Sequence, residues 1–323
     1  MSNTMELTAA GLTDVGRRRS HNEDHVVVRP DLGLLVVADG AGGHNAGEVA
    51  AKLACTSIAN YVGATVRKAW DTPDYDRFGL ASDARRLVAA VQKANRDVVE
   101  ISRTHGMYKG MGTTVVAMLF SPRAQLVHVA HVGDSRGYRL RRGSLEQLTQ
   151  DHSLLQEVLE TQPDLPDDVI ARFPRSVVTR ALGMEQQLRV SVNTHRAFPG
   201  DRYLLCSDGL CGYVEPAEIE TTLRLEETPA GVAQLLINVA NAVGGRDNIA
   251  AVVADLESPG EVQRQRPHAT IPDLDDEDSP ELMILGIEEA TLTAGPQLHI
   301  VSDGRFQEDL LLTLKQILKK KPK

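Results

Sequence analysis

Only three cysteines occur in the 323 residues, Cys55, Cys206 and Cys211. The number is odd, each sits among apolar neighbours, and no pair has the spacing of a zinc knuckle or a redox motif, so reduced core thiols are expected. No stretch reaches the roughly 18 uncharged apolar residues of a membrane span, and the first twenty residues lack the apolar heart of a signal peptide. The expectation is a cytoplasmic protein with no membrane contact. Positive charge is in deficit, with 35 Lys and Arg against 44 Asp and Glu and a net charge of -9. That balance removes the electrostatic reason to expect nucleic acid. Nor does the chain repeat itself in the manner of a solenoid.

What is present suits a globular protein. The length allows one large domain with an appendage or two modest ones, and the 42% of hydrophobic residues can fill a sizeable core. Apolar, β-branched runs at Val26 to Val28, Leu34 to Ala38, Thr113 to Phe120, Leu126 to Val132, Tyr203 to Cys206 and Ile249 to Ala254 read as strands. Helical periodicity marks Glu48 to Tyr61, Asp83 to Arg103 and Pro229 to Val243. The two kinds of element are mixed without the regular alternation of a doubly wound parallel fold. Residues 257–281 change character, with eight acidic residues against two basic ones and four prolines, and read as a linker. The remaining 282–323 segment recovers apolar content and ends in a short amphipathic pattern carrying Leu310, Leu314 and Ile317.

Acids stand where the apolar runs stop. "LLVVADGAGGH" delivers Asp39 after a run without polar alternation, as expected of a strand covered on both faces. "YLLCSDGL" places Asp208 at the end of a second strand, and "GGRDNIAAVVA" puts Asp247 just before a third. If that third strand runs antiparallel to the others, all three acids meet at one edge. Asp134, in "VHVAHVGDSRGYRL", lies between two strand-like halves, for which a hairpin turn is the simplest local explanation. Clustered carboxylates repel and need cations, and hard oxygen donors without His or Cys favour Mg²⁺ or Mn²⁺ over Zn²⁺. Gly40 is then expected to turn the backbone sharply and aim its carbonyl at a metal, with Gly42 and Gly43 keeping the approach free of side chains. "GRRRSHNED" adds Arg17, Arg18 and Arg19 ahead of Glu23 and Asp24; one arginine could hold a phosphate, and spacing alone does not choose which.

With these pieces in place the chain resembles the metal-dependent protein serine/threonine phosphatases of the protein phosphatase 2C type, in their bacterial form. The matching stretches run in order: "RSHNED", "ADGAGGH", "MGTT", "VGDSR", "LTQDHS", "VVTRALG", "CSDGL" and "RDN". The resemblance implies an α+β fold, a four-layer α-β-β-α sandwich of two largely antiparallel sheets with the metal site in a cleft at one edge. It implies a phosphatase domain over residues 1–256, with a flap at about 153–182. Two Mn²⁺ or Mg²⁺ ions are implied, with a third in bacterial members, and the substrates would be phosphorylated proteins, a serine/threonine kinase or its targets among them. By matching position Asp39 would bridge the metals, Gly40 would offer its carbonyl, Asp208 and Asp247 would complete the site, and Asp134 with Asp208 would hold the third ion. Glu23 would act through a metal-bound water, Asp24 and Asn248 would support the ligands from behind, and Arg19 would bind the phosphate. A monomeric chain is expected.

Two positions depart from the family pattern. Ala41 stands where relatives carry Met or His, which removes a side-chain proton donor and leaves the general acid unassigned. Ala250 replaces a hydroxyl residue two places after "RDN", so one supporting hydrogen bond is expected to be missing. His44 reads as a helix-start or packing residue, Cys206 as core, and Asp303, in a second Ser-Asp-Gly, as a turn residue. His128 and His131, three apart on a strand, should face opposite ways as satisfied histidines rather than a metal pair. "DGAGGHNAG" fails the dinucleotide fingerprint and has no P-loop Lys-Ser/Thr. The alternative function is a catalytically silent relative that binds phosphoproteins or senses a signal, against which the retained acids argue.

Overall fold

The computed structural model describes residues 5–258 apart from 43–45, 67–74, 78, 171, 175 and 176. His44, Asp303, the linker beyond Ser258 and the 282–323 segment lie outside the described residues.

Strand β3 (Leu34–Ala41) shows how the sequence builds the sandwich. With a side-chain period of two, Leu34, Val36 and Ala38 face one way and Leu35 and Val37 the other, and all five are fully buried. The first set packs under helices α1 (Ala46–Val66) and α2 (Ser82–Thr104), against residues such as Ala54, Ile58, Leu87 and Val91. The second set meets Tyr203 and Leu205 of β10 (Arg202–Cys206) and Val252 and Ala254 of β11 (Ile249–Glu257) between the sheets. On the outer face of β10 and β11, Leu204 and Val253 pack with Ile219 of α6 (Pro216–Leu223) and with Leu236 and Ile237 of α7 (Pro229–Ala242). The result is the expected order of helix, sheet, sheet and helix.

One sheet orders β1 (Glu6–Asp14), β11, β10, β7 (Arg136–Arg141) and β8 (Ser144–Gln147). The other orders β2 (Asp24–Arg29), β3, β5 (Val115–Ser121), β6 (Leu126–Val132) and β9 (Ser191–Arg196), with the short β4 (Gly112–Thr113) pairing the end of β3. Every pairing between these strands is antiparallel. Between Ser153 and Leu182 run the helices α3 (Leu154–Thr161) and α4 (Asp167–Ile170). Ser153 caps α3, accepting from the Gln156 amide at 3.3 Å.

Two local readings are corrected. Gly40 does not turn the chain: β3 continues through it, pairing Gly40 with Thr113 and Ala41 with Gly112. Glycine is required there by close approach, since a Cβ would lie 2.1 Å from the Gly47 carbonyl oxygen and 2.7 Å from that of Glu23. Asp134 does not sit in a hairpin either, because β6 and β7 belong to different sheets. β6 pairs with β9 instead, so residues 133–135 carry the chain across the sandwich.

Candidate active site

Antiparallel pairing places the acids. β10 and β11 run in opposite directions with Cys206 opposite Ala251. Asp208, the first residue of α5 (Asp208–Cys211), and Asp247, two residues ahead of β11, therefore share one edge. In the facing sheet β2 pairs β3 so that Asp24 lies directly opposite Asp39, and the crossing from β6 to β7 brings Asp134 to the same place.

These carboxyls raise one another's proton affinity. Burial, then the charges of Asp24, Asp208, Asp247 and Asp134, push Asp39 well above the ordinary carboxylate range, and its side chain contacts those of Asp24 and Asp208. Asp24 is pushed up to about 8 by burial first and then by Asp208 and Asp247. Asp134 also reaches about 8, through burial and then Asp208 and Asp151, and Asp208 about 6, through burial and then Asp247. Glu23 is raised because burial outweighs the pull of Arg19 and a hydrogen bond from the Gly47 backbone.

A cation stands at the edge of this group. Arg19 grips Asp247 with Nε to Oδ1 at 2.8 Å and Nη2 to Oδ2 at 2.9 Å, and its charge also reaches Glu23 and Asp39. Of the three arginines in "RRR", Arg19 is the one whose side chain reaches these acids. Among the described residues neither Arg17 nor Arg18 forms an ion pair, and Arg17 contributes a backbone hydrogen bond to the Gly245 carbonyl at 2.7 Å. Asn248 ties the N-terminal loop to the site. Its Nδ2 donates to the carbonyls of Val15 at 3.0 Å and His21 at 2.8 Å, while its Oδ1 accepts from the Glu23 amide at 2.9 Å.

Sequence reasoning passed over the groups that hold these acids. Ser207, fully buried, donates to Asp24 Oδ2 at 2.7 Å and accepts from the Ala250 amide at 2.8 Å. Asp24 thus has a hydroxyl partner although position 250 lacks one. Thr113 Oγ1 donates to the Asp39 carbonyl at 2.9 Å, and Thr114 Oγ1 accepts from the Asp39 amide at 3.2 Å and bonds Ser135 at 2.7 Å. The quoted stretches "MGTT", "VGDSR" and "CSDGL" contained all four hydroxyls; their small polar side chains beside strand ends were the available signal.

The remaining candidates fall outside the cluster. His128, on the helix-facing side of β6, bonds Thr194 Oγ1 at 2.9 Å. His131 points between the sheets and donates Nε2–H to the Gln150 carbonyl at 2.7 Å, but its buried Nδ1 has no partner, so it is only half satisfied. Cys55, Cys206 and Cys211 are free and buried.

Among the described residues no group of three or more His, Cys, Asp or Glu side chains is arranged so as to hold a metal ion; Asp247 is turned to Arg19 instead. The donor set nevertheless fits hard divalent cations. The crowded carboxyls outnumber the arginines whose charge reaches them, Arg19 and Arg136, and Asp24 Oδ1 is buried without any hydrogen-bond partner.

The family model described as Protein phosphatase 2C matches residues 16–256. The serine/threonine phosphatase stp of Listeria monocytogenes is 36% identical over 249 residues, covering 76% of this chain and 94% of that protein. The serine/threonine protein phosphatase PstP of Mycobacterium tuberculosis is 37% identical over 254 residues, 78% of this chain and 46% of that one. The crystal structure of the PstP catalytic domain in complex with two manganese ions superposes with a TM-score of 0.66 at 35% identity, over 79% of this chain and 100% of the other. The chain belongs to the protein phosphatase 2C family.

Proposed function

We propose that the chain is a Mn²⁺- or Mg²⁺-dependent protein serine/threonine phosphatase that hydrolyses phosphoserine and phosphothreonine in proteins. The observation that carries this reading is the convergence of Asp39, Asp208, Asp247, Asp134 and Asp24 at one edge of the two-sheet sandwich, with Arg19 beside them.

Asp39, Asp208, Asp247 and the Gly40 carbonyl would hold two cations, and Asp134 with Asp208 a third. Bound there, the cations would neutralise the carboxylates and supply an activated water as nucleophile. The protein's own contribution is positional. Asn248, Ser207, Thr113 and Thr114 fix the backbone and the acids, Glu23 and Asp24 stand behind the ligands, and Arg19 offers a guanidinium fork to a phosphate. Ala41 carries no proton for the leaving group, and the general acid stays unassigned in this reading. Residues 1–256 are the catalytic domain in this reading, with 153–182 as its flap, 257–281 as linker and 282–323 as an appendage.

The same reading makes the chain a cytoplasmic monomer that opposes a serine/threonine kinase. Three unpaired thiols support the compartment, and no helix among the described residues is long and apolar enough to cross a membrane. The test is turnover of para-nitrophenyl phosphate and a phosphothreonine peptide with Mn²⁺, lost on chelation and restored on metal return. Absence of turnover while calorimetry records bound Mn²⁺ would instead support the silent relative.

A further inference from the structure

Beside the carboxyl cluster lies a second polar cavity of about 400 Å³, which the proposed mechanism does not use. His131, His152, Arg180 and Arg189 line it, with Glu157 and Glu160 also on its wall. The two imidazoles stack with centroids 4.6 Å apart and planes at 15°. His152 Nδ1 accepts from the Gly133 amide at 3.1 Å and its Nε2 bonds Ser191 Oγ at 2.9 Å. Both ring nitrogens of His152 are therefore committed and the ring is neutral, pushed down to about 3 by burial and then by His131, Arg180 and Arg189.

The charges in the cavity are unequal in commitment. Asp151 is neutralised by Arg136, with Nε at 2.9 Å and Nη2 at 2.7 Å, and Glu160 accepts from Gln150 at 2.9 Å. Arg180 and Arg189 form no ion pair among the described residues. The backbone beneath Arg180 is held in place, since the Thr179 amide donates to the His152 carbonyl at 2.8 Å and Leu182 and Thr113 exchange hydrogen bonds at 3.1 and 2.8 Å. His131, 2% exposed, adds an Nδ1 acceptor with no donor. Two guanidinium groups that form no ion pair with the carboxylates Glu157 and Glu160 on the same wall, beside an acceptor without a donor, match a residue that brings an anionic side chain together with its own backbone N–H.

The location couples the cavity to the active site. Gly133, which bonds His152, directly precedes Asp134, so the cavity floor lies within about 10 Å of the carboxyl cluster, and an extended peptide covers that span in about three residues. We propose that this cavity is a substrate subsite for an anionic side chain, a carboxylate or a second phosphate, placed within about three residues of the scissile phosphoserine or phosphothreonine. The inference rests on the phosphatase reading above and adds a sequence preference to it.

The experiment uses the full chain with Mn²⁺ and phosphothreonine peptides that differ only in carrying Ala, Glu or phosphoserine at each of the three positions on either side. Wild type should favour an anionic residue at one position by about tenfold in kcat/KM, through KM. Arg189→Ala, at an exposed position, should reduce that preference to less than about threefold, while para-nitrophenyl phosphate turnover stays within about twofold. Arg189→Glu should shift the preference toward a lysine peptide. Comparing the Glu and phosphoserine arms separates a carboxylate from a phosphate as the preferred group. Equal kcat/KM for Ala, Glu and phosphoserine at every position in wild type, or a preference that survives in both Arg189 variants, overturns the subsite. Failure of wild type on para-nitrophenyl phosphate as well as on every peptide would instead sink the phosphatase reading.

Discussion

Arg19 and Asp247 form a two-pronged ion pair, Nε to Oδ1 and Nη2 to Oδ2, across the mouth of the carboxyl cluster. The side chains are 37% and 24% exposed, and a pair so open to solvent is worth only about 0–1 kcal/mol. It can therefore be exchanged cheaply, as the proposed reading requires of both side chains.

Arg19→Ala is expected to raise KM for phosphopeptides about tenfold or more while changing kcat less, because the lost contact is made to the phosphate before reaction. Steady-state kinetics on one phosphothreonine peptide checks this. An unchanged KM would move the phosphate-binding role to Arg17 or Arg18.

Asp39→Asn should lower kcat by at least about a thousandfold, in keeping with loss of the central electrostatic element of the site. The metal-free variant should nevertheless melt at or above the wild-type temperature at pH 8, since the substitution removes a buried, crowded acid. Calorimetry of both proteins in chelator gives the answer. A variant that keeps most of its rate would remove Asp39 from the centre of the proposal.

Stability and metal affinity should respond to pH in opposite senses. Asp24 and Asp134 titrate near 8 and Asp208 near 6 in the metal-free fold, above the ordinary value of 3.8. Folded groups with raised values bind more protons than the unfolded chain, so the metal-free protein loses stability as pH rises from 6 to 8.5. His152 and His128, held near 3 and 4 in the fold, add stability as pH rises through the ordinary imidazole value of 6.5, so the loss is read above pH 7, where that gain is complete. Mn²⁺ must displace the same protons, so its affinity should climb over the same range. Thermal melts in chelator and titration calorimetry with Mn²⁺ measure the two slopes, and parallel slopes would contradict the assignment.

Backbone contact between α5 and the start of β11 leaves no room at Gly209, where a Cβ would stand 1.8 Å from the Asn248 carbonyl oxygen. Gly209→Ala is expected to cost about 3 kcal/mol or more and to weaken Mn²⁺ binding by pushing Asp208 away from Asp247. Ser207→Ala should cost less, about 1–3 kcal/mol, by leaving Asp24 and the Ala250 amide without their shared hydroxyl. Denaturant melts rank the two, and a milder Gly209→Ala would show that the edge is not tightly packed.

Much of the site was legible because acids that interrupt buried apolar runs are physically unusual. Leu34 to Ala38 lack polar alternation, so both faces of β3 had to be covered and Asp39 had to emerge at the rim of a core. Less could be read where pairing was remote. β1 has Gly11 and four alanines or leucines in place of a β-branched run, and it becomes a strand by pairing all nine residues with β11, more than 230 positions away. β9 is a polar strand at a sheet edge, visible only beside β6. Gly40 is needed for close approach and not for a turn; the crowding of Gly47 and Glu23 against it comes from a helix start and a loop that local sequence does not bring together.

By itself the sequence determined the residue types: hard oxygen donors at strand ends, an arginine run ahead of Glu23, hydroxyls beside the acids, and no soft ligand among them. Tertiary structure decided which of them meet. Antiparallel register joins Asp208 to Asp247, the passage from β6 to β7 between sheets delivers Asp134, and the loop braced by Asn248 selects Arg19 from its neighbours. The reason is that local patterning sets which face of a strand is apolar, whereas the partner of that strand, and hence the group across the cleft, follows from packing between segments far apart in the chain.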